Sequence, residues 1–277
     1  MTFDTTEDPS HPLLGDFVAL NDPAQRRVVE RSGNYFVVEG ALALERLLDL
    51  PQWQIRAIAL SPKAAERFTE RLAPHAHRVV VAAPAVLQQV VGFDIHRGIL
   101  ASVQRRAVPP ATSLIQPTKP SLNVALEGVN DHENLGAIYR NCAALGASSV
   151  LLDPTCADPF YRRSIRVSLG HVMAVPTGAL GPIPQGIAEL TRLEAQTVAL
   201  VTKGGASLQA TASRLDRSRP VVLLAGAEGP GLSEQACQSA EYLATIEMAG
   251  AVDSLNVATA LAIALHGLNY PNDSSGA

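Results

Sequence analysis

The sequence predicts two α/β domains, a small N-terminal one and a larger C-terminal one built on a mostly parallel sheet. Three observations point there. Short apolar runs alternate with stretches of helical periodicity along the whole chain. Several runs are continuously apolar, such as Val-Val-Leu-Leu-Ala at 221–225, and strands of that kind are buried on both faces, as in parallel sheets. One break, Arg105 to Ser121, carries four prolines and little periodicity, so it reads as a linker.

Each element follows from local pattern. In the N-terminal part, residues 22–31 read as a helix and Tyr35 to Val38 as a strand. Gly40 to Leu50 has Leu44, Leu47 and Leu48 at helical spacing. Ile55 to Leu60 is a strand, and Ser61-Pro62 opens a helix, with serine as cap and proline in the first turn. Val79 to Val81 and Ile99 to Val103 complete a small α/β/α sandwich. After the linker, strands are predicted at 122–127, 149–153, 172–175, 196–202, 220–226 and 242–247. Helices are predicted at 134–145, 161–169, 184–193, 233–240 and 255–269. The domains are therefore placed at 11–104 and 122–270, with the linker at 105–121. The first ten residues and Asn272 to Ala277 read as disordered ends.

Composition narrows the function classes. The formal net charge is −4, which argues against holding nucleic acid by bulk charge. Lys63, Lys119 and Lys203 are the only lysines, so nearly all positive charge is arginine, whose fork suits phosphate. Cys142, Cys156 and Cys237 are widely spaced and form no CxxC pair, so no metal site and no disulfide framework is expected. The polar N-terminus is not a signal peptide, and no apolar run reaches a membrane-spanning length. A cytoplasmic protein with no membrane partner is the expectation.

Three segments carry chemistry. In Asn123 to Ala147 a strand ends at Glu127-Gly128 and a helix begins near Asn134. Ile138, Cys142 and Leu145 form its apolar stripe. Arg140 lies about 200° around the helix from Ile138, so it faces away from the core, and Gly136 one turn earlier leaves it uncovered. Asn134 either caps that helix or presents its amide to a ligand. In Val221 to Gln235 a buried strand runs into Gly226, Gly229 and Gly231. A glycine loop at the carboxyl end of a parallel strand is where α/β sheets bind ligands. The spacing is neither the dinucleotide fingerprint nor a P-loop. Glu228 inside the loop would repel a phosphate and favours a ligand with a cationic centre. In Thr245 to Leu268 a strand leads through a small flexible turn to Ser254-Leu255-Asn256, where an apolar helix starts. Ser254 suits an N-cap, whereas Asn256 inside the first turn is not explained by capping.

The motifs NLGAIYRNCAALGA, LLAGAEGPGLS and IEMAGAVDSLNVATALAIAL, in this order, resemble the three signatures of the SpoU (TrmH-like) family of RNA ribose 2′-O-methyltransferases, in the SPOUT superfamily. The resemblance covers about Leu122 to Leu268 and extends to YRRSIRVSLGHVMAVP at 161–176. More loosely, FVVEG (36–40) and HRGILASV (96–103) resemble an L30e-like substrate-binding domain. The resemblance implies a trefoil-knotted fold, a homodimer, S-adenosylmethionine as methyl donor without a metal, and RNA as substrate. Ribosomal RNA is preferred over transfer RNA on the strength of the extra domain. A non-catalytic RNA-binding protein is disfavoured because the motif side chains are all present.

Carried over residue by residue, the resemblance makes Asn134, Arg140, Glu228, Ser254 and Asn256 the catalytic set. It makes Leu224, Gly226, Gly231, Ile246, Met248 and Leu255 the cofactor contacts, largely through backbone groups. Arg162, Arg163 and Arg166 would hold RNA phosphates, unless they form only a solvated or ion-paired face. Two departures stand out: SLNVAT replaces the commoner SLNVS, and Glu247 stands where proline is common. The resemblance also implies the arginine as the base. A guanidinium stays protonated at ordinary pH, so the sequence leaves the proton acceptor open.

Overall fold

The structure is a computed structural model that describes residues 2–22, 34–95, 98–250 and 252–269. Beyond Asp22, the helix predicted at 22–31 lies outside the described residues. So do His96 and Arg97 of the L30e-like stretch and the tail 272–277. The chain forms two compact units. One comprises Met1–Arg106 with Phe160–Met173, the other Ala107–Pro159 with Ala174–Ala277.

The first unit holds a mixed sheet of β1 (Asp4–Thr6), β2 (Tyr35–Glu39), β3 (Ile55–Leu60), β4 (Val79–Ala82) and β5 (Ile99–Gln104), in the order β1-β4-β3-β5-β2. β5 runs antiparallel to β2 and β3, and the remaining pairs are parallel. The helices are α1 (Ala41–Leu48), α2 (Pro62–Leu72) and α3 (Pro84–Val91). Ser61 Oγ accepts the Ala64 N–H at 3.4 Å, so the predicted Ser-Pro start of α2 is present. Leu14 and Phe17, from a 3-10 turn at Pro12–Phe17, join Val37, Ala59, Leu87 and Leu100 in a core.

The reading of the first ten residues as disordered is corrected. Asp4–Thr6 adds a parallel strand to β4, whose outer backbone groups it pairs. The turn that follows is fixed locally: Asp8 Oδ1 accepts the Ser10 N–H at 2.8 Å, and the His11 ring meets Asp4 at 3.1 Å.

A second correction concerns residues 160–173, which the sequence placed with the C-terminal part. They pack in the first unit, as α5 (Arg162–Val167) and a 3-10 turn, His171–Met173, where a strand at 172–175 had been expected. The cause is aromatic. The Phe160 ring stacks on Phe36 with centroids 5.0 Å apart and meets Trp53 edge-on at 5.3 Å. Trp53 Nε1 donates to the Met173 carbonyl at 2.9 Å, and Arg46 Nε to that of Leu169 at 3.2 Å. The Trp53 bond takes the Met173 carbonyl, which a strand at 172–175 would have paired.

The second unit is a seven-stranded sheet in which every pairing is parallel. Its strands are β6 (Leu122–Glu127), β7 (Ser149–Leu152), β8 (Thr177–Ala179), β9 (Gln196–Val201), β10 (Ala206–Ser207), β11 (Val221–Gly226) and β12 (Tyr242–Thr245). Their order is β10-β12-β9-β11-β6-β7-β8. The helices are α4 (His132–Ala144), α6 (Gln185–Arg192), α7 (Leu208–Arg214), α8 (Glu234–Ser239) and α9 (Val257–Asn269), and α9 packs on α4 and α7. The continuous apolar runs behave as expected, since every residue of β11 is buried.

The linker reading holds for only part of 105–121. Ala111 and Ile115 are buried in the core of the second unit, beside Leu151, Ile187 and Leu224. Pro110 forms a bridge with Ala179, whose N–H donates to the Pro109 carbonyl at 2.8 Å. Proline suits this edge because it has no N–H to leave unpaired.

If Phe160 anchors 160–173 to the first sheet, Phe160→Ala should cost about 3–5 kcal/mol. It should also speed hydrogen exchange in β2. Unchanged β2 protection would contradict the packing described.

Candidate active site

In a parallel sheet the loops that follow the strands gather at one edge, and ligands bind there. The second unit has a cleft of about 320 Å³ at that edge. It is bounded by the ends of β9 and β11, the stretch after β12 and the start of α9.

Its floor is the loop after β11. Gly226 passes so close to the returning chain that a Cβ would sit 2.0 Å from the carbonyl carbon and oxygen of Gly231. No side chain fits between those backbones. Gly229 and Gly231 have φ of +93° and +71°, which glycine adopts at little cost. The Gly231 N–H closes the loop onto the Ala227 carbonyl at 2.9 Å. At the loop's far end, Ser233 caps α8, and its own N–H donates to Glu127 Oε2 at 2.8 Å.

Two helix starts border this loop, and both differ from expectation. α4 begins at His132, two residues before Asn134, because Asp131 is the cap: its Oδ1 accepts the N–H groups of Glu133 at 2.9 Å and Asn134 at 2.8 Å. Capping is thereby excluded as the role of the Asn134 side chain. Its Nδ2 donates instead to Glu228 Oε2 at 2.9 Å. At α9 the cap is Asn256 rather than Ser254. Asn256 Oδ1 accepts from the N–H groups of Ala258 at 3.0 Å and Thr259 at 3.3 Å, so capping does explain this residue. Its Nδ2 reaches Asn134 Oδ1 at 2.7 Å. Asn256, Asn134 and Glu228, far apart in sequence, thus form one hydrogen-bonded row.

Of the cofactor positions inferred from sequence, Gly226, Gly231, Ile246, Met248 and Leu255 line the cleft, as do Glu228, Ser254 and Asn256. Leu224 does not. It is 2% exposed and packs in the core below. The lining also includes Leu200, Val201 and Thr202, which the sequence did not single out. Their only signal is the end of β9, and nothing local says that β9 lies beside β11. Two further carboxylates brace the loops. Glu127 holds Ser233, while buried Asp153 accepts the Gly128 N–H at 3.1 Å and so fixes the turn into α4.

Arg140 is exposed on α4, as its helical position predicted, and is not part of the cleft lining. Cys142, on the opposite stripe, is fully buried, and burial pushes its thiol up to about 12, so it is no nucleophile. Arg162, Arg163 and Arg166 lie in the first unit. Arg162 is 22% exposed, pairs with Glu39 at 3.6 Å and covers the Phe93 ring at 4.4 Å, whereas Arg163 and Arg166 are exposed. Among the described residues, no group of three or more His, Cys, Asp or Glu is arranged to hold a metal. No described helix is long and apolar enough to cross a membrane.

Comparison with known proteins agrees with this architecture. The SpoU rRNA Methylase family matches residues 121–266. The chain belongs to that family. A protein of Mycobacterium bovis named as an uncharacterized tRNA/rRNA methyltransferase is 35% identical over 260 residues, covering 94% of this chain and 89% of the relative. A crystal structure of an AdoMet-bound rRNA methyltransferase from Sinorhizobium meliloti superposes with a TM-score of 0.77 at 27% identity, covering 96% of this chain and 97% of that one. The SpoU methyltransferase AviRb from Streptomyces viridochromogenes shares the fold, with a TM-score of 0.74 at 20% identity over 92% of this chain and 95% of that one. The large parallel sheet is thus that of a SPOUT methyltransferase.

The backbone crossing at Gly226 makes this SpoU-family cleft intolerant of any side chain there. Gly226→Ala should cost about 1–3 kcal/mol or more, read as a lowered midpoint in urea unfolding. A Gly226→Ala chain as stable as wild type would refute the crossing.

Proposed function

We propose that the protein transfers a methyl group from S-adenosylmethionine to a ribose 2′-hydroxyl of RNA, ribosomal RNA ahead of transfer RNA. The observation that carries this reading is the row Asn256–Asn134–Glu228 at the mouth of the glycine-floored cleft. It brings a side chain from each of the three motifs to one place. Family membership and the AdoMet-bound relative support methyl transfer, and the motif set itself supports the ribose target.

The cleft fits the donor in size and chemistry. Its volume lies at the lower end of small-molecule sites. Its walls are apolar, from Leu200, Ile246, Met248, Leu255 and Val257, and its loops offer backbone groups at Gly226 and Gly231. Glu228 adds negative charge, which suits a ligand bearing a sulfonium and an ammonium. Bound there, S-adenosylmethionine would supply an electrophilic methyl group.

The chain's own residues do the rest. Met248, Ile246 and Leu255 exclude water from the donor, and Gly226 and Gly231 let backbone approach it. Ser254 shapes the mouth. Arg140 holds a substrate phosphate and so orients the hydroxyl, which alone lowers a barrier by several kcal/mol. Arg163 and Arg166 add phosphate contacts, while the charge of Arg162 is largely met by Glu39. The first unit serves as an L30e-like substrate-binding domain. The active form is a cytoplasmic homodimer, consistent with the exposed apolar side chains of Val252, Leu255 and Ile263. The trefoil knot belongs to the same proposal and is supported by β12 lying between β10 and β9.

Mapping 2′-O-methyl marks in ribosomal and transfer RNA from cells with and without the protein tests this directly. A ribose mark that vanishes with the gene supports it, and an unchanged map in both RNAs overturns it. With the RNA in hand, Arg140→Ala should lower kcat/KM by about 100-fold or more, and Arg140→Lys should recover only part of it. Near wild-type turnover by Arg140→Ala would remove the arginine from the mechanism.

A further inference from the structure

Among the described residues lining the cleft, Glu228 is the one with an ionisable side chain. We infer that Glu228 takes the proton of the attacking hydroxyl, and that Asn256 and Asn134 hold its carboxylate in place as a relay of fixed polarity. The inference rests on the ribose methylation proposed above.

The polarity comes from α9. The first N–H groups of a helix have no partner inside it and point outward. Two of them, from Ala258 and Thr259, are met by Asn256 Oδ1. An amide has one oxygen and one NH2 group, so Asn256 must turn its NH2 away from the helix. It donates to Asn134, which therefore offers Oδ1 to Asn256 and its own NH2 to Glu228. The partner at the end of this row must be an acceptor, and an ionised carboxylate accepts only. Oε2 is thereby occupied, while Oε1 makes no hydrogen bond among the described residues. A second, independent constraint places this carboxylate: Glu228 sits in the Ala227–Gly231 loop pinned by the backbone crossing at Gly226.

A ribose hydroxyl must lose its proton as its oxygen gains a carbon. Arg140 cannot accept it, because a guanidinium has no acceptor and does not deprotonate. A held carboxylate can. In the step, the O2′–H bond breaks and the proton passes to Glu228 Oε1. The oxygen's electron pair forms the bond to the methyl carbon. The carbon–sulfur bond breaks, its pair stays on sulfur, and the sulfonium leaves as a neutral thioether. No oxidant, reductant or metal enters the balance.

The relay is testable without turnover. Aspartate caps a helix as well as asparagine does, so a residue needed only as a cap tolerates Asn256→Asp. The relay does not. A carboxylate at this position cannot donate, Asn134 must turn round, and its oxygen then faces the Glu228 carboxylate. Adding Glu228→Gln supplies a donor and restores the row. In urea unfolding of the full chain, N256D should lower the midpoint and N256D/E228Q should recover it. The coupling should be at least about twofold in the unfolding constant. In an Asn134→Ala background it should vanish, whereas direct charge repulsion between positions 256 and 228 would persist there. Additive effects, or coupling that survives Asn134→Ala, overturn the relay.

For the proton, single-turnover transfer to the identified RNA should fall about 100-fold or more in E228Q. Calorimetric affinity for RNA should stay within about threefold of wild type. Full turnover by E228Q, or lost affinity with unchanged turnover, overturns the role of Glu228 as acceptor while leaving the methylation intact. A wild-type protein that methylates no RNA instead removes the reading beneath it, and this inference with it.

Discussion

Backbone meets backbone at Gly226, and the cleft exists because it does. The strand β11 is buried along its whole length, so its position in the sheet is fixed. The chain leaving it turns back within five residues and lies against its own last residue. That contact aims Glu228 and spaces Gly226 and Gly231 along the floor. It also sets where α8 can start, with Ser233 tied to Glu127 on the neighbouring strand β6. A methyl group at Gly226 would open all of this, because neither partner in the contact is a flexible side chain that can move aside.

Around that floor, hydrogen bonds that ordinarily serve stability also set geometry. Asp131 caps α4, and in doing so leaves Asn134 free to face Glu228. Asn256 caps α9, and the demands of that cap decide which way both amides point. Asp153 fixes the turn that delivers Asp131. Each bond is worth only about 1 kcal/mol net, yet each has a direction, and together they leave one orientation for the row. The helix ends thus act as the reference to which the polar side chains are aligned.

The fold was legible where pattern is local. The buried runs of β6, β9 and β11, the Ser-Pro start of α2 and the exposed position of Arg140 all follow from spacing and residue type. Illegible features were those decided by a distant partner. Asp4–Thr6 is too short to declare itself a strand without β4 beside it. Residues 105–121 look like a linker because prolines dominate, yet Ala111 and Ile115 find a core formed by β7, α6 and β11. Phe160 belongs with Phe36 and Trp53, and no periodicity in 160–173 reveals that. The Leu224 side chain packs in the core below the cleft, where its neighbours in the buried strand put it.

By itself the sequence determined the α/β class, the glycine loop and the family whose motifs it carries. It could do so because glycine, capping residues and buried strands have local physical signatures. Tertiary structure decided which of two nearby residues caps each helix, Asp131 over Asn134 and Asn256 over Ser254. It also joined Asn256 to Asn134 and Asn134 to Glu228 across 122 and 94 positions of chain. Those pairings depend on strand order, since β12, β9, β11 and β6 must stand in that order before the segments after β12, β11 and β6 can meet. Strand order reflects the packing of whole layers, and no short stretch of residues encodes it.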